Sequence, residues 1–461
     1  METNVVQLLK DLRAYALAKG LEAAIWYHEE ESSLMRFANS AISLNTNEHL
    51  VRLEITVFDG KKRATYSMIV DPEQVGLMKK GIDIAAEMVQ HAQPLSYVPT
   101  VPVYQTEVLD LRAYDPNLAA LTNEDRLAYF NTVAQGLESK EIKLSGIFSS
   151  GVTTTAQVST KTEHTQYFAS SDADITVVLS NQPLKWEVNA QQSAQSKADL
   201  NPQVLKRDLA FLMKHYSEDP ALQIPLGEYT VVFGADAVGD VMDIMVQLTT
   251  DGGLMKRGYS CLTEEQQGKL VFSSKFSLAD DPDCIKTYPF SRDLMGTERK
   301  RFPLFDHGVF QGFTWSQDDA DEFGEQPTGH TVYHNSLLVD GGAVQVASLE
   351  ELVAMRRNED ILYIPYLHYM NIVNPTIGMI TGSSRFGALL LKADGSVAIP
   401  FNVRVTQTFQ DLFGENVEWL SSEQVVHNVS NTYGQRNPSA IVVPKFMCVR
   451  GIEISHSNSS Y

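Results

Sequence analysis

Eleven histidines, three cysteines and 57 acidic residues supply the groups through which this 461-residue chain could do chemistry. Their spacing is restrictive. His330 and His334, in GHTVYH, would face one way on a helix and could share a metal ion there. Thr331, Val332 and Tyr333 favour a strand or loop instead, in which Cβ atoms four residues apart are separated by roughly 13 Å. No glutamate follows His330, so both histidines are read as structural or surface residues and kept only as polar candidates. His28-Glu29 opens like a zinc motif, but Ser32 and Ser33 stand where a second histidine would be, and Glu29 to Glu31 reads as a solvated acidic turn. Asp236, Asp240 and Asp243 share one face of a predicted helix. They could hold a hard cation such as Mg²⁺, but favourable charge near a helix amino terminus, with Asp236 as cap, is the simpler reading.

Nucleophilic chemistry is no better served. The serines of TGSSRFG sit in a turn without an assignable base, and no G-x-S-x-G is present. Cys261, in GYSCL, reads as a buried inert thiol. GADAVGD lacks the lysine and hydroxyl residue of a phosphate-binding loop.

The elements that position these residues follow from hydrophobic periodicity. Tyr229 to Phe233 is a β-branched and aromatic run that reads as a buried strand, broken by Gly234. Ala237, Val238, Val241, Met245 and Leu248 then follow helical spacing, with Asp236, Asp240, Asp243 and Gln247 opposite, which predicts an amphipathic helix ending in the turn residues Thr249 to Gly253. Upstream, Val5 to Ala16 predicts a helix stopped by Gly20. Ala23 to Tyr27 predicts a strand, and Asp59-Gly60 predicts a hairpin turn. Helices are expected after Asp71-Pro72, from Asn123 under a Thr122 or Asn123 cap, and over Pro202 to His215. The Ser/Thr-rich alternation from Lys143 to Trp186 predicts an antiparallel sheet. Downstream, Asp306-His307-Gly308 and Asp394-Gly395 predict two more hairpins, and the last strands are Ala440 to Val443 and Phe446 to Ile454. The whole predicts an α+β fold in two domains, residues 1–220 and 221–461, each built from antiparallel sheet with packed helices, the second richer in β-structure.

Composition limits the partners. Thirty-seven basic against 57 acidic residues give a formal net charge of −20, a field that repels a phosphate backbone, and no basic tract offsets it. Direct nucleic-acid binding is excluded on that ground. No apolar run approaches the roughly 18 residues of a membrane span, and the amino terminus lacks the basic start of a signal peptide. Three widely spaced cysteines fit free thiols in a reducing cytoplasm.

The strand and helix at Glu228 to Gly253 resemble the carboxy-terminal half of the TldD/PmbA family, as do LMGTERKRFPLFDHGVFQGF, QPTGH and NPTIGMITGSSRFGALLLKADGSVAIPFNVRV. The resemblance is strongest from Thr230 to Leu412 and weaker before Asp110, and Gln407-Thr408 departs from a common Gly-Asn pair. In the TldD branch this helix carries H-E-x-x-x-H, whose two histidines and a later cysteine hold zinc while the glutamate acts as general base. The positions matched to it here are Asp243, Ile244 and Leu248. No histidine lies between His215 and His307, and Cys448 falls late, beyond the family's zinc-binding cysteine. The resemblance is therefore to the PmbA, or TldE, branch, the metal-free partner. It implies a cytoplasmic, non-catalytic subunit, with no catalytic residue or zinc of its own. Such a chain would pair with a TldD-like zinc metallopeptidase subunit that cleaves unfolded or flexible peptides. A self-dimer, a homo-oligomeric peptide-binding or regulatory protein, and a hydrolase working through His330, His334 or the aspartate face remain the alternatives.

Overall fold

A computed structural model describes residues 2–218, 220–331, 335–430 and 435–458. The fold is α+β. Helix α1 (Glu2–Ala18) leads into two long strands, β1 (Glu22–Ala38) and β2 (Ala41–Asp59). Asn39 and Ser40 join them, both with positive φ (50° and 65°), the backbone that matches the twist of a tight hairpin. Asp59-Gly60 turns into β3 (Lys62–Ile69), with Gly60 at φ 56°. After α2 (Val75–His91) come β4 (Val108–Ala113), α3 (Pro116–Ala119), α4 (Asn123–Ala134), β5 (Ile142–Ser159), β6 (Thr165–Asn181), β7 (Trp186–Ala194) and α5 (Pro202–Glu218). These strands make a seven-stranded sheet of order β3-β2-β1-β5-β6-β4, with β7 also on β6. Thr122 caps α4 in a reciprocal box with Asp125, satisfying two backbone donors at the helix start.

Leu9, Leu12 and Ala16 of α1 and Ile82 and Ala85 of α2 pack on Ile25, Leu53 and Ile55 of the sheet. Full burial of each of these leucines and isoleucines is worth about 1.5–3 kcal/mol. A second core joins Phe37, Phe130, Phe148, Leu205 and Leu209 to Val232, Tyr363, Leu389 and Phe446. It draws on residues from both sides of position 220.

From residue 227 onward the chain builds two more sheets. Strand β8 (Gly227–Gly234) lies inside a nine-stranded one, parallel to Ile361–Ile364 and antiparallel to Phe446–Asn458. The other has six strands, and its one edge pairs Ala440–Pro444 with Gln424–Asn428. Helix α6 (Ala235–Thr250) packs between the two, touching β8 and Phe446–Asn458 on one side and both edge strands on the other. Ten of its 16 residues are buried, so the amphipathic helix expected from periodicity is covered on most of its circumference.

One stretch differs outright from expectation. Glu29 to Glu31 form no turn but lie within β1, where only Glu31 is exposed; His28, Glu29 and Glu30 are at 0, 6 and 4% exposure. The sheet tolerates them because each has a polar partner, as buried charge requires. Among the described residues no helix is long and apolar enough to cross a membrane.

Candidate functional site

Strand β8 delivers the chain to α6 through Gly234, where a Cβ would lie 2.9 Å from the Pro365 Cα. The Ala237 amide donates to the Pro365 carbonyl at 3.1 Å, holding the first turn. Asp236 and Asp240, one turn apart, then project toward His427 on the strand Gln424–Asn428. His427 Nδ1 lies 3.1 Å from Asp236 Oδ1 and Nε2 lies 2.8 Å from Asp240 Oδ1. The imidazole is 3% exposed and each carboxylate 25%. Gly239 permits the approach, because a Cβ there would sit 2.2 Å from His427 Cδ2.

Two carboxylates accept from both ring nitrogens only if the ring carries two N–H groups. Burial alone would depress the His427 pKa, but hydrogen bonds and charge from Asp236 and Asp240 outweigh it and raise the pKa to about 10. His427 is therefore an imidazolium, clamped by α6 and without a lone pair to offer. Asp243 is half-buried one turn further on. Burial, then repulsion from Asp240, raises its pKa, while His427 acts the other way. Ile244 packs against the core and Leu248 is within it.

Beyond His427 stands β6. Asp172 receives Arg436 Nε and Nη2 at 2.8 and 2.6 Å, a bidentate pair with both side chains at most 4% exposed. Arg436 Nη1 also donates to Ser149 Oγ at 3.0 Å, its backbone N–H donates to Glu30, and its carbonyl accepts from His28 Nε2 at 2.8 Å. Asp174 has only a long contact from Ser193 Oγ, 3.4 Å. Burial, then the Asp172 charge, pushes its pKa up to about 6, with His427 pulling the other way. A cavity of about 490 Å³ opens here, with Glu30, Arg52, Asp172, Asp174, Asn428 and Arg436 among its lining residues. Arg52 pairs with Glu30 at 2.7 Å, and among the described residues Asp174 has no ion pair of its own.

The structure thus brings Asp236 and Asp240 to a common centre and leaves Ile244 and Leu248 outside it. His330 is elsewhere and 2% exposed, its Nδ1 2.7 Å from Asp280 Oδ2. Asp280 also accepts from Arg299 and from the Ser336 amide, both at 2.7 Å, so His330 is a satisfied core histidine. His334 lies outside the described residues. Cys261 is half-buried, its thiol pushed up to about 11 by burial. His427, Arg436, Asp172 and Asp174 escaped the sequence reading. The one local signal was Gly239, a glycine inside a helical run, which often marks a close approach.

A zinc ion does not fit this centre. The H-E-x-x-x-H spacing also matches Ala235, Asp236 and Asp240, and neither frame supplies an imidazole from the helix. The single histidine present already donates both nitrogens to carboxylates.

A mixed α+β chain with a helix held between two sheets and a polar centre at its amino-terminal end defines the class, and the comparisons agree with it. Residues 226–456 match the PmbA/TldA metallopeptidase C-terminal domain. The chain belongs to the PmbA/TldD family. Among solved structures it is similar to TldE from Thermococcus kodakarensis, with a TM-score of 0.79 and 14% identity over 98% of this chain and 100% of that one. A protein from Thermotoga maritima described as a candidate modulator of a DNA gyrase gives 0.75 and 16%, over 97% of this chain and 99% of that one. One from Bacteroides thetaiotaomicron, described likewise, gives 0.75 and 16%, over 97% and 98%. No curated protein sequence matches the chain.

Proposed function

We propose that this chain is the non-catalytic, TldE-like subunit of a two-component metallopeptidase, cytoplasmic, divided near residue 220, and paired with a relative that carries the zinc motif. The observation that carries this reading is the His427 clamp. At the helix where the family's peptidases place their metal ligands, this chain has carboxylates and a protonated ring, a donor set that neither binds zinc nor activates water. The fold around that centre is nevertheless retained, with a polar cavity of a volume suited to part of a peptide. A subunit that has exchanged chemistry for shape supplies walls to a shared chamber and leaves cleavage to its partner. The word gyrase in the descriptions of two relatives is not carried over to direct DNA contact, which a net charge of −20 opposes.

The test is reconstitution. Purified chain mixed with a relative bearing H-E-x-x-x-H is expected to form a stable complex on size exclusion. The complex should hydrolyse an unstructured peptide that this chain alone leaves intact. Absence of association together with no gain in peptidase activity would overturn the proposal, as would cleavage by this chain alone. A discrete homo-oligomer that binds peptide without cleaving it would support the self-associating alternative.

A further inference from the structure

Away from the α6 centre, the β1–β2 hairpin gathers a different set of groups. Its register places Glu31 directly opposite His49 and Glu29 opposite Val51. Since alternate residues of a strand share a face, Glu29, Glu31 and His49 project together. One ligand atom from each lies within 4.8 Å of the others. Among the described residues no other group of three histidine, cysteine or acidic side chains converges in this way.

Glu29 is the anchor. Its side chain is 8% exposed, and Tyr27 Oη donates to Oε2 at 3.0 Å, fixing its orientation from beneath. Oε1 is left to His49 Nε2 at 2.7 Å. Strand alternation puts Arg52 on the opposite face of the sheet, where it pairs with Glu30, and among the described residues neither Glu29 nor Glu31 has an ion pair with lysine or arginine. Like charges gathered on one sheet face are destabilising, and a buried carboxylate calls for a cation. The group borders a cavity of about 350 Å³, whose wall includes Glu31, His49, Arg126 and Ser150. Arg126 is 2% exposed and its Nε has no partner. Its Nη1 donates to Ser150 Oγ and the Leu121 carbonyl and its Nη2 to Asn123 Oδ1.

We propose that Glu29, Glu31 and His49 bind one divalent transition ion, zinc by chemistry, with a fourth coordination position open to the cavity. One imidazole and two carboxylates form a borderline donor set that suits zinc, whereas magnesium and calcium favour all-oxygen sites. The Tyr27 hydroxyl plays the orienting part that outer partners play in metal sites. Tetrahedral bonds of about 2.0–2.2 Å place ligand atoms roughly 3.3 Å apart, so the exposed Glu31 and His49 side chains close on the fixed Glu29 when the ion enters. This site is independent of the α6 centre and of the subunit role proposed above.

The full chain, stripped with a chelator, is titrated with zinc by calorimetry, and bound metal is counted by elemental analysis after gel filtration. One zinc per chain is expected. His49→Ala and Glu31→Gln should each weaken binding by roughly tenfold or more, since loss of even an orienting partner costs 10–100-fold. His307→Ala, which removes a surface histidine paired with Asp306, should leave it unchanged, and an equal excess of magnesium should not displace the ion. Both test residues are exposed, so circular dichroism is expected to show folded variants. No stoichiometric zinc at micromolar free metal, or affinity indifferent to His49→Ala and Glu31→Gln, overturns the proposal.

Discussion

At the scale of single residues, one ring and its two acceptors tie the amino-terminal end of α6 to the neighbouring sheet. Replacing His427 with glutamine leaves Asp236 and Asp240 facing each other without their cation. Removing one partner from a buried charge cluster costs about 3–5 kcal/mol, and the partial exposure of the two aspartates, 25% each, puts the expected loss near the lower end. The pH dependence has a definite sign. The folded-state pKa of about 10 lies above the usual 6.5, so the folded protein holds the extra proton between those values. The stabilisation is complete below pH 6.5 and disappears as pH rises through 10, by at most about 1.4 kcal/mol per unit. Asp236, Asp240 and Asp243 of α6 and Asp174 of β6 are the charged groups that act on the ring. Denaturant unfolding of the parent and His427→Gln from pH 7 to 10.5 should show their stabilities converging as pH rises. A constant difference across that range would show that His427 does not carry the second proton in the folded protein.

At the scale of elements, α6 shows what periodicity can and cannot reveal. Its apolar stripe and its entry from a buried strand were legible, because they depend on neighbours in the chain, whereas the turn expected at Thr249 to Gly253 is not there: Thr249 and Thr250 complete the helix and Gly252 opens another after Asp251. The role of its polar face was not legible, since a carboxylate on a wet surface and one capped by a buried imidazolium look alike in sequence. Their partner stands 187 residues away from Asp240. The same limit explains β1: Glu29 to Glu31 read as a solvated turn because the groups that bury this stretch include Arg436, which meets Glu30 and His28 from more than 400 positions away. Hairpins at Asp59-Gly60 and His307-Gly308, by contrast, were fixed by local backbone need. Gly239→Ala tests the helix directly. At an ordinary interior helical site alanine is favoured over glycine by about 1 kcal/mol. Here the added methyl meets the His427 ring, and overpacking of this kind costs about 1–3 kcal/mol. Thermal unfolding should therefore report a lowered midpoint, whereas a raised one would mean that His427 can swing away freely.

At the scale of the whole molecule, the sequence predicts two domains, and one core draws on residues from both sides of the boundary proposed near residue 220. The second core unites Phe37, Leu205 and Leu209 with Val232, Leu389 and Phe446. Tyr216 Oη donates to the Ala388 carbonyl at 2.8 Å, and Arg436 carries the charge that balances Asp172 on β6. Severing the chain after residue 220 would strip apolar cover from that core and leave Asp172 buried without a counterion. Each lost large contact is worth about 1.5–3 kcal/mol, and total stability is commonly only 5–15 kcal/mol. A fragment of residues 1–220 is accordingly expected to bind a hydrophobic dye and to melt without a cooperative transition. The full chain should unfold in one step with coincident signals from near- and far-ultraviolet dichroism. A fragment that melts sharply at the temperature of the intact protein would show instead that the amino-terminal sheet and its α1–α2 core suffice. The cavity at Asp174 would then lie between bodies that can part, and subunit pairing would have to hold it together. The two outcomes lead to different complexes: a single rigid wall presented to the partner, or two lobes that assemble around the peptide.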